Sequence, residues 1–177
     1  MTRNKKQGIV WISAVLYILI GLAIMGLLLM VVRPKIEQMR DSITIDQTLA
    51  TMNRLDETIS RTREAPGTRL EYILQLSKGT VEINAMSDRI IWNIDSSIAY
   101  SEINKPINVG SIKVLTVPIS ADRWRVSLEV NYTNMFNLTY DGKDENKALG
   151  EAKIPYDLWI ENRGVFSGRQ QIDTFIS

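Results

Sequence analysis

Carboxylates and asparagines are the side chains in this sequence whose spacing could do chemistry. Asp88, Asp95 and Glu102 recur every seven residues. They fall in strand and loop contexts, where a seven-residue step puts them on no common face. Asp141, Asp144 and Glu145 surround Gly142, a faint echo of a calcium loop. The twelve-residue pattern, with glycine sixth and glutamate twelfth, is not met, and a charged solvated turn fits better. Trp92, Trp124 and Trp159 could form a platform for a sugar ring, but they alternate with strand period and read as core. The chain of 177 residues has no cysteine and no histidine. That removes disulfides, Cys/His metal sites and any triad with a histidine base. No phosphate-binding glycine loop or nucleophile elbow is present. The expectation is a non-enzymatic chain with no catalytic residue, cofactor or metal. The remaining chemistry is modification: Asn131-Tyr132-Thr133 and Asn137-Leu138-Thr139 are N-glycosylation sequons. A plain solvated asparagine is the alternative at each.

The elements that position these residues are short strands. In "RWRVSLEVNYT", Trp124, Val126, Leu128, Val130 and Tyr132 alternate with Arg123, Arg125, Ser127, Glu129 and Asn131. "MFNLTY" turns Phe136, Leu138 and Tyr140 inward and Asn137 outward. "TRLEYILQL", "TVEINAM", "RIIWNI" and "YDLWIEN" keep the same period of two. Tight turns between half-buried strands predict an antiparallel sheet or sandwich over 65–177. "NKPINVG" and "YDGKDENKALG" read as exposed loops.

A different pattern precedes the strands. Residues 9–32 form a run of 24 without a charge. As a helix it measures roughly 36 Å, against about 30 Å for a hydrocarbon core. A domain of this size has no interior to hide such a rod. Pro34 follows, and its ring opposes the carbonyl of Met30, so a helix kink is expected there. Apolar residues then resume helical spacing at Ile36, Met39, Ile43, Leu49, Met52, Leu55 and Ile59, until "APG" at 65–67 stops them. An amphipathic helix over 33–64 is predicted, packing its stripe on the following domain. A dimerising coiled coil is the alternative. The fold class is therefore α+β, a long N-terminal helix followed by antiparallel strands.

Arg3, Lys5 and Lys6 precede the run with no acid among them, whereas Glu37 and Asp41 lie close behind Arg33 and Lys35. The amino terminus should stay cytoplasmic and the domain outside. A net charge of +1 supplies no field for nucleic acid. Gly21-Leu22-Ala23 has the small-x-small form of a secretory cut site, but the apolar run continues past it to Val32.

Lys5-Lys6-Gln7-Gly8 followed by Ile9 puts basic residues and a glycine directly before the apolar helix. This resembles the class III signal of type IV pilin-like proteins. The resemblance covers residues 3 to about 62 and implies cleavage between Gly8 and Ile9 by a prepilin peptidase, with removal of 1–8. The fifth mature position is Ser13, where bacterial members usually carry glutamate. Archaeal members commonly lack it, so the likeness is to archaeal pilin-like proteins. It implies a subunit of a cell-surface filament, with a role in adhesion. Its partners would be membrane lipid before assembly, other pilin subunits after it, and the pilus assembly machinery. Small residues at Ala14, Gly21, Ala23 and Gly26 would let helices approach, and Trp11 would sit at the cytoplasmic interface. The competing expectation is a single-pass anchored extracellular binding domain that never polymerises.

Overall fold

A computed structural model of the chain describes the backbone of residues 4–176 and side chains from residue 11 onward. One helix, α1 (Asn4–Arg63), is followed by strands and a single 3-10 turn, Ala85–Ser87. The strands are β1 (Arg69–Leu74), β2 (Thr80–Asn84), β3 (Arg89–Ser96), β4 (Ile107–Val109) and β5 (Ile112–Ser120). They continue with β6 (Arg123–Asn131), β7 (Asn137–Tyr140), β8 (Lys147–Leu149), β9 (Tyr156–Phe166) and β10 (Arg169–Ile176). A long apolar N-terminal helix followed by mostly antiparallel strands is the α+β arrangement expected. The chain divides into two units, Met1–Arg40 and Asp41–Ser177.

In the second unit the strands form two sheets. One has the order β1-β9-β10-β7, the other β4-β5-β6-β3-β2-β8. All pairings are antiparallel except β7 with β10, which run parallel. The inner faces of both sheets share one apolar core with the last part of α1. That core holds Ile45, Met52, Leu55 and Ile59 of the helix, Val126, Leu128 and Val130 of β6, and Leu158 and Ile160 of β9.

The helical stripe differs from the expected one. Ile36, Met39 and Ile43 are exposed. Asp41, Ile45, Thr48, Met52, Leu55, Ile59 and Thr62 are buried in a series that advances by alternate steps of four and three, with Thr58 also buried beside Ile59. This is the spacing of a packed helical seam, with polar residues at three of its positions. The seam faces sheets of the same chain. α1 continues through Pro34 without ending.

Two segments read as loops carry edge strands. "NKPINVG" contains β4, paired with β5, and "KAL" forms β8, paired with β2. Trp92 lies in the core, but Trp124, at the start of β6, is only half-buried. Gly79 turns the chain into β2 with φ +88, and a Cβ there would come within 2.1 Å of the Asn93 carbonyl oxygen. No side chain fits that position.

Candidate membrane-spanning and assembly helix

Apolar residues dominate α1 from Trp11 onward, and none of its most apolar window is buried. Trp11 is 76% exposed, Tyr17 73% and Leu27 65%. Among the described residues this is the one helix long and apolar enough to cross a membrane. Removing that surface from water is strongly favourable, so the segment demands an apolar environment.

Two glycines interrupt the run. A Cβ added at Gly21 or Gly26 would meet nothing within 4 Å. Nothing in the chain's own fold requires the absence of a side chain there. Each glycine costs about 1 kcal/mol of helix stability relative to alanine. Each leaves a notch on the helix surface.

The second unit grips its stretch of α1 through polar contacts as well as the apolar seam. Asp41 forms an ion pair with Lys78, and its other carboxylate oxygen accepts the backbone N–H of Ser97 at 2.6 Å. Burial acts to raise the Asp41 pKa, but the Lys78 ammonium and the Ser97 hydrogen bonds outweigh it and hold it below the ordinary value. Five residues on, Asp46 accepts the Tyr100 hydroxyl at 2.9 Å. The Thr51 carbonyl then accepts from Tyr72 at 2.8 Å. Asp56 accepts from Tyr132 at 2.9 Å and from Ser111 at 2.6 Å. Burial, then the Asp56 charge, pushes the Tyr132 hydroxyl far above its usual range, so it stays a donor. At the helix end, the Asn162 amide donates to the carbonyls of Thr62 and Arg63, at 3.1 and 3.2 Å.

The residues singled out from sequence fall as follows. Lys5, Lys6, Gly8 and Ile9 lie outside the residues whose side chains are described. Asn131 is exposed, and its side-chain oxygen accepts from the Thr133 N–H at 2.9 Å and lies 2.6 Å from the Thr133 hydroxyl. Asn137 is half-buried and donates to Asp144 at 3.2 Å. The hydroxyl of its sequon, on Thr139, is buried and donates to Asp173 at 2.7 Å.

The spaced acids do not converge. Asp88 pairs with Arg169, Asp95 with Arg125 and Glu102 with Lys105. Among the described residues no group of three or more acids could hold a metal ion. The tryptophans share no surface: Trp92 is inside and donates to the Lys78 carbonyl at 3.0 Å, while Trp159 lies under the Arg69 guanidinium at 4.5 Å. Sequence reasoning used Asp41 only as a flanking charge and Tyr72 and Tyr132 only as inward strand residues, without their contacts to the helix, and passed over Tyr100 and Asn162. The four–three spacing of Asp41 with Ile45 and Thr48 was the available signal for Asp41. Comparison with known proteins finds no match to the chain among protein families, curated proteins or solved structures.

Proposed function

We propose that this chain is a structural subunit, major or minor, of a type IV pilus-like cell-surface filament, assembled through its apolar N-terminal helix. The observation that carries the reading is the pairing of a fully exposed apolar helix with two glycines that face empty space. Lipid alone satisfies the apolar surface. It gives no reason for the notches, which a neighbouring helix does.

The mechanism is physical. Before assembly the helix is solvated by lipid, with its amino terminus cytoplasmic and the second unit outside. On assembly it leaves the bilayer and packs against the same helix of neighbouring subunits. Lipid tails are as apolar as leucine, so the hydrophobic terms of the two states nearly cancel and helix packing decides between them. Assembly machinery can then move subunits in either direction at low cost. The grip of the second unit on α1 transmits that movement to the exposed domain. The role is structural, with surface attachment as its outcome, and needs no cofactor.

The class III leader belongs to the same reading: a prepilin peptidase cuts between Gly8 and Ile9, leaving the apolar helix at the new amino terminus. Filaments sheared from the native host and sequenced should contain this chain beginning at Ile9. A chain confined to the membrane fraction and beginning at Met1 or Thr2 would replace this reading with that of an anchored binding domain. The two readings share the membrane-spanning run and differ in whether the leader is removed and the helix ever leaves lipid.

A further inference from the structure

The outer face of the six-stranded sheet carries a depression of about 480 Å³ beside the turn into β2. Thr80 of β2, Asn93 and Asp95 of β3 and Arg125 of β6 form its floor. Along their strands these residues alternate with buried Val81, Trp92, Ile94 and Val126, so they point away from the core. Thr80 stands opposite Asn93, and Asp95 opposite Arg125. Lys78, Gly79 and Glu151 form the wall. The volume lies within the range of about 300–1,000 Å³ that small-molecule sites occupy.

The polar groups of the depression are held in place by the chain and keep valences to spare. The Asn93 side-chain oxygen accepts the Ser127 hydroxyl at 2.6 Å, which leaves the amide nitrogen as the free donor. Arg125 donates twice to the Asp95 carboxylate, at 2.9 and 3.3 Å. One Glu151 oxygen accepts the Gly79 N–H at 2.8 Å, which brings this carboxylate to the rim from 72 residues away. The Asn93 amide nitrogen, the Thr80 hydroxyl and the second Glu151 oxygen take no partner among the described residues. Charge then says what fits. Lys78 is paired with Asp41 and Arg125 with Asp95, while Lys153 lies beside Glu151 on the same loop. Three cations and three carboxylates balance, so an ion entering here finds no counter-charge to offset its desolvation. An apolar ligand would strip water from the floor groups without replacing it. A hydroxyl suits them, because it donates to a carboxylate and accepts from an amide or guanidinium at once.

We infer that this depression binds an uncharged sugar, with ring hydroxyls set against Asn93, Asp95 and Glu151. The inference holds whether or not the chain polymerises, since it rests on the sheet domain alone.

The test uses the full chain in phosphatidylcholine nanodiscs, so that its apolar helix is already occupied. Methyl glycosides of glucose, galactose, mannose and N-acetylglucosamine are added at millimolar concentration, and saturation-transfer NMR is read against empty discs. At least one of the four should receive saturation from the protein. Asn93→Ala should weaken its binding by about three- to tenfold, the loss expected for one hydrogen bond. Glu151→Gln, from the opposite wall, should weaken it as well. Both side chains lie on the solvent side of the sheet, so neither change opens the core. Glucuronate and glucosamine, which carry a negative and a positive charge, should bind more weakly than the neutral glycoside. The inference is overturned if none of the four glycosides exceeds the empty-disc signal, or if Asn93→Ala binds like wild type. It is equally overturned if glucuronate or glucosamine binds more tightly than the neutral glycosides, which would assign the depression to an ion.

Discussion

The side-chain amide of Asn162, in β9, donates to the main-chain carbonyl of Thr62 at 3.1 Å, closing the end of α1 from a strand one hundred residues later. Helices usually end on a local glycine or on water. Here the residues after the helix are Glu64, Ala65 and Pro66, and the cap comes from the sheet. The bond joins the contacts of Asp41, Asp46, Thr51 and Asp56 in holding the helix against the strands.

Replacing Asn162→Leu should therefore destabilise the second unit by about 1–3 kcal/mol, the cost of leaving buried carbonyls without a donor. Gln170 also donates to the Arg63 carbonyl, at 2.7 Å, but from a half-buried position. Gln170→Ala should cost less, since water can take its place. Denaturant unfolding of the two variants checks the order, and equal losses would deny Asn162 its capping role.

Acid should loosen the other end of the grip. The Asp41 pKa is held below the ordinary 3.8 in the folded state. A depressed carboxylate contributes stability above its unfolded value, and that contribution disappears as pH falls through the folded value. Asp41→Asn should thus be less stable than wild type at neutral pH, by about 1–3 kcal/mol. The two melting curves should converge as the pH is lowered below 3.8. A gap that persists unchanged into acid would mean that the charge of Asp41 does not hold the helix.

Glycosylation should discriminate between the two sequons. Asn131 is exposed, with its Thr133 hydroxyl at the surface. At the second site Asn137 is committed to Asp144 and Thr139 is buried against Asp173. A transferase acting on the folded domain should modify Asn131 and leave Asn137 bare. Glycopeptide mass spectrometry of protein from the native host reads this directly, and glycan on Asn137 alone would contradict it.

Much of the sheet domain was legible in sequence because its clearest strands have one wet face. In β6, Val126, Leu128 and Val130 point inward between Arg125, Ser127 and Glu129. The alternation fails where both faces are covered or the register slips. In β5, Leu115 and Val117 lie outward beside buried Val114 and Thr116, so no period shows. In β10, a bulge at Gln171/Ile172 breaks the parity, and buried Asp173 and Thr174 mask the strand further. Trp124 continued the inward series of β6 on paper, yet lies at its start, opposite Ser96 and Pro118, where the core thins. On the helix, apolar Ile36, Met39 and Ile43 suggested packing that begins only at Asp41. The polar seam residues Asp41, Thr48 and Thr62 were hidden because their partners come from far along the chain or from the helix carbonyls one turn back.

The account of assembly stands or falls on the notch at Gly26. A leucine there keeps the run apolar and, with nothing within 4 Å of its Cβ, leaves the chain's own fold untouched. Insertion and removal of the leader should proceed as in wild type. Close approach of a neighbouring helix should not. The measurement is the number of surface filaments per cell for Gly26→Leu, read in cells whose membrane fraction holds the wild-type amount of processed protein. The account predicts that filaments are lost while that amount is unchanged. Filaments as abundant as wild type would contradict it, since the notch would then receive no neighbour.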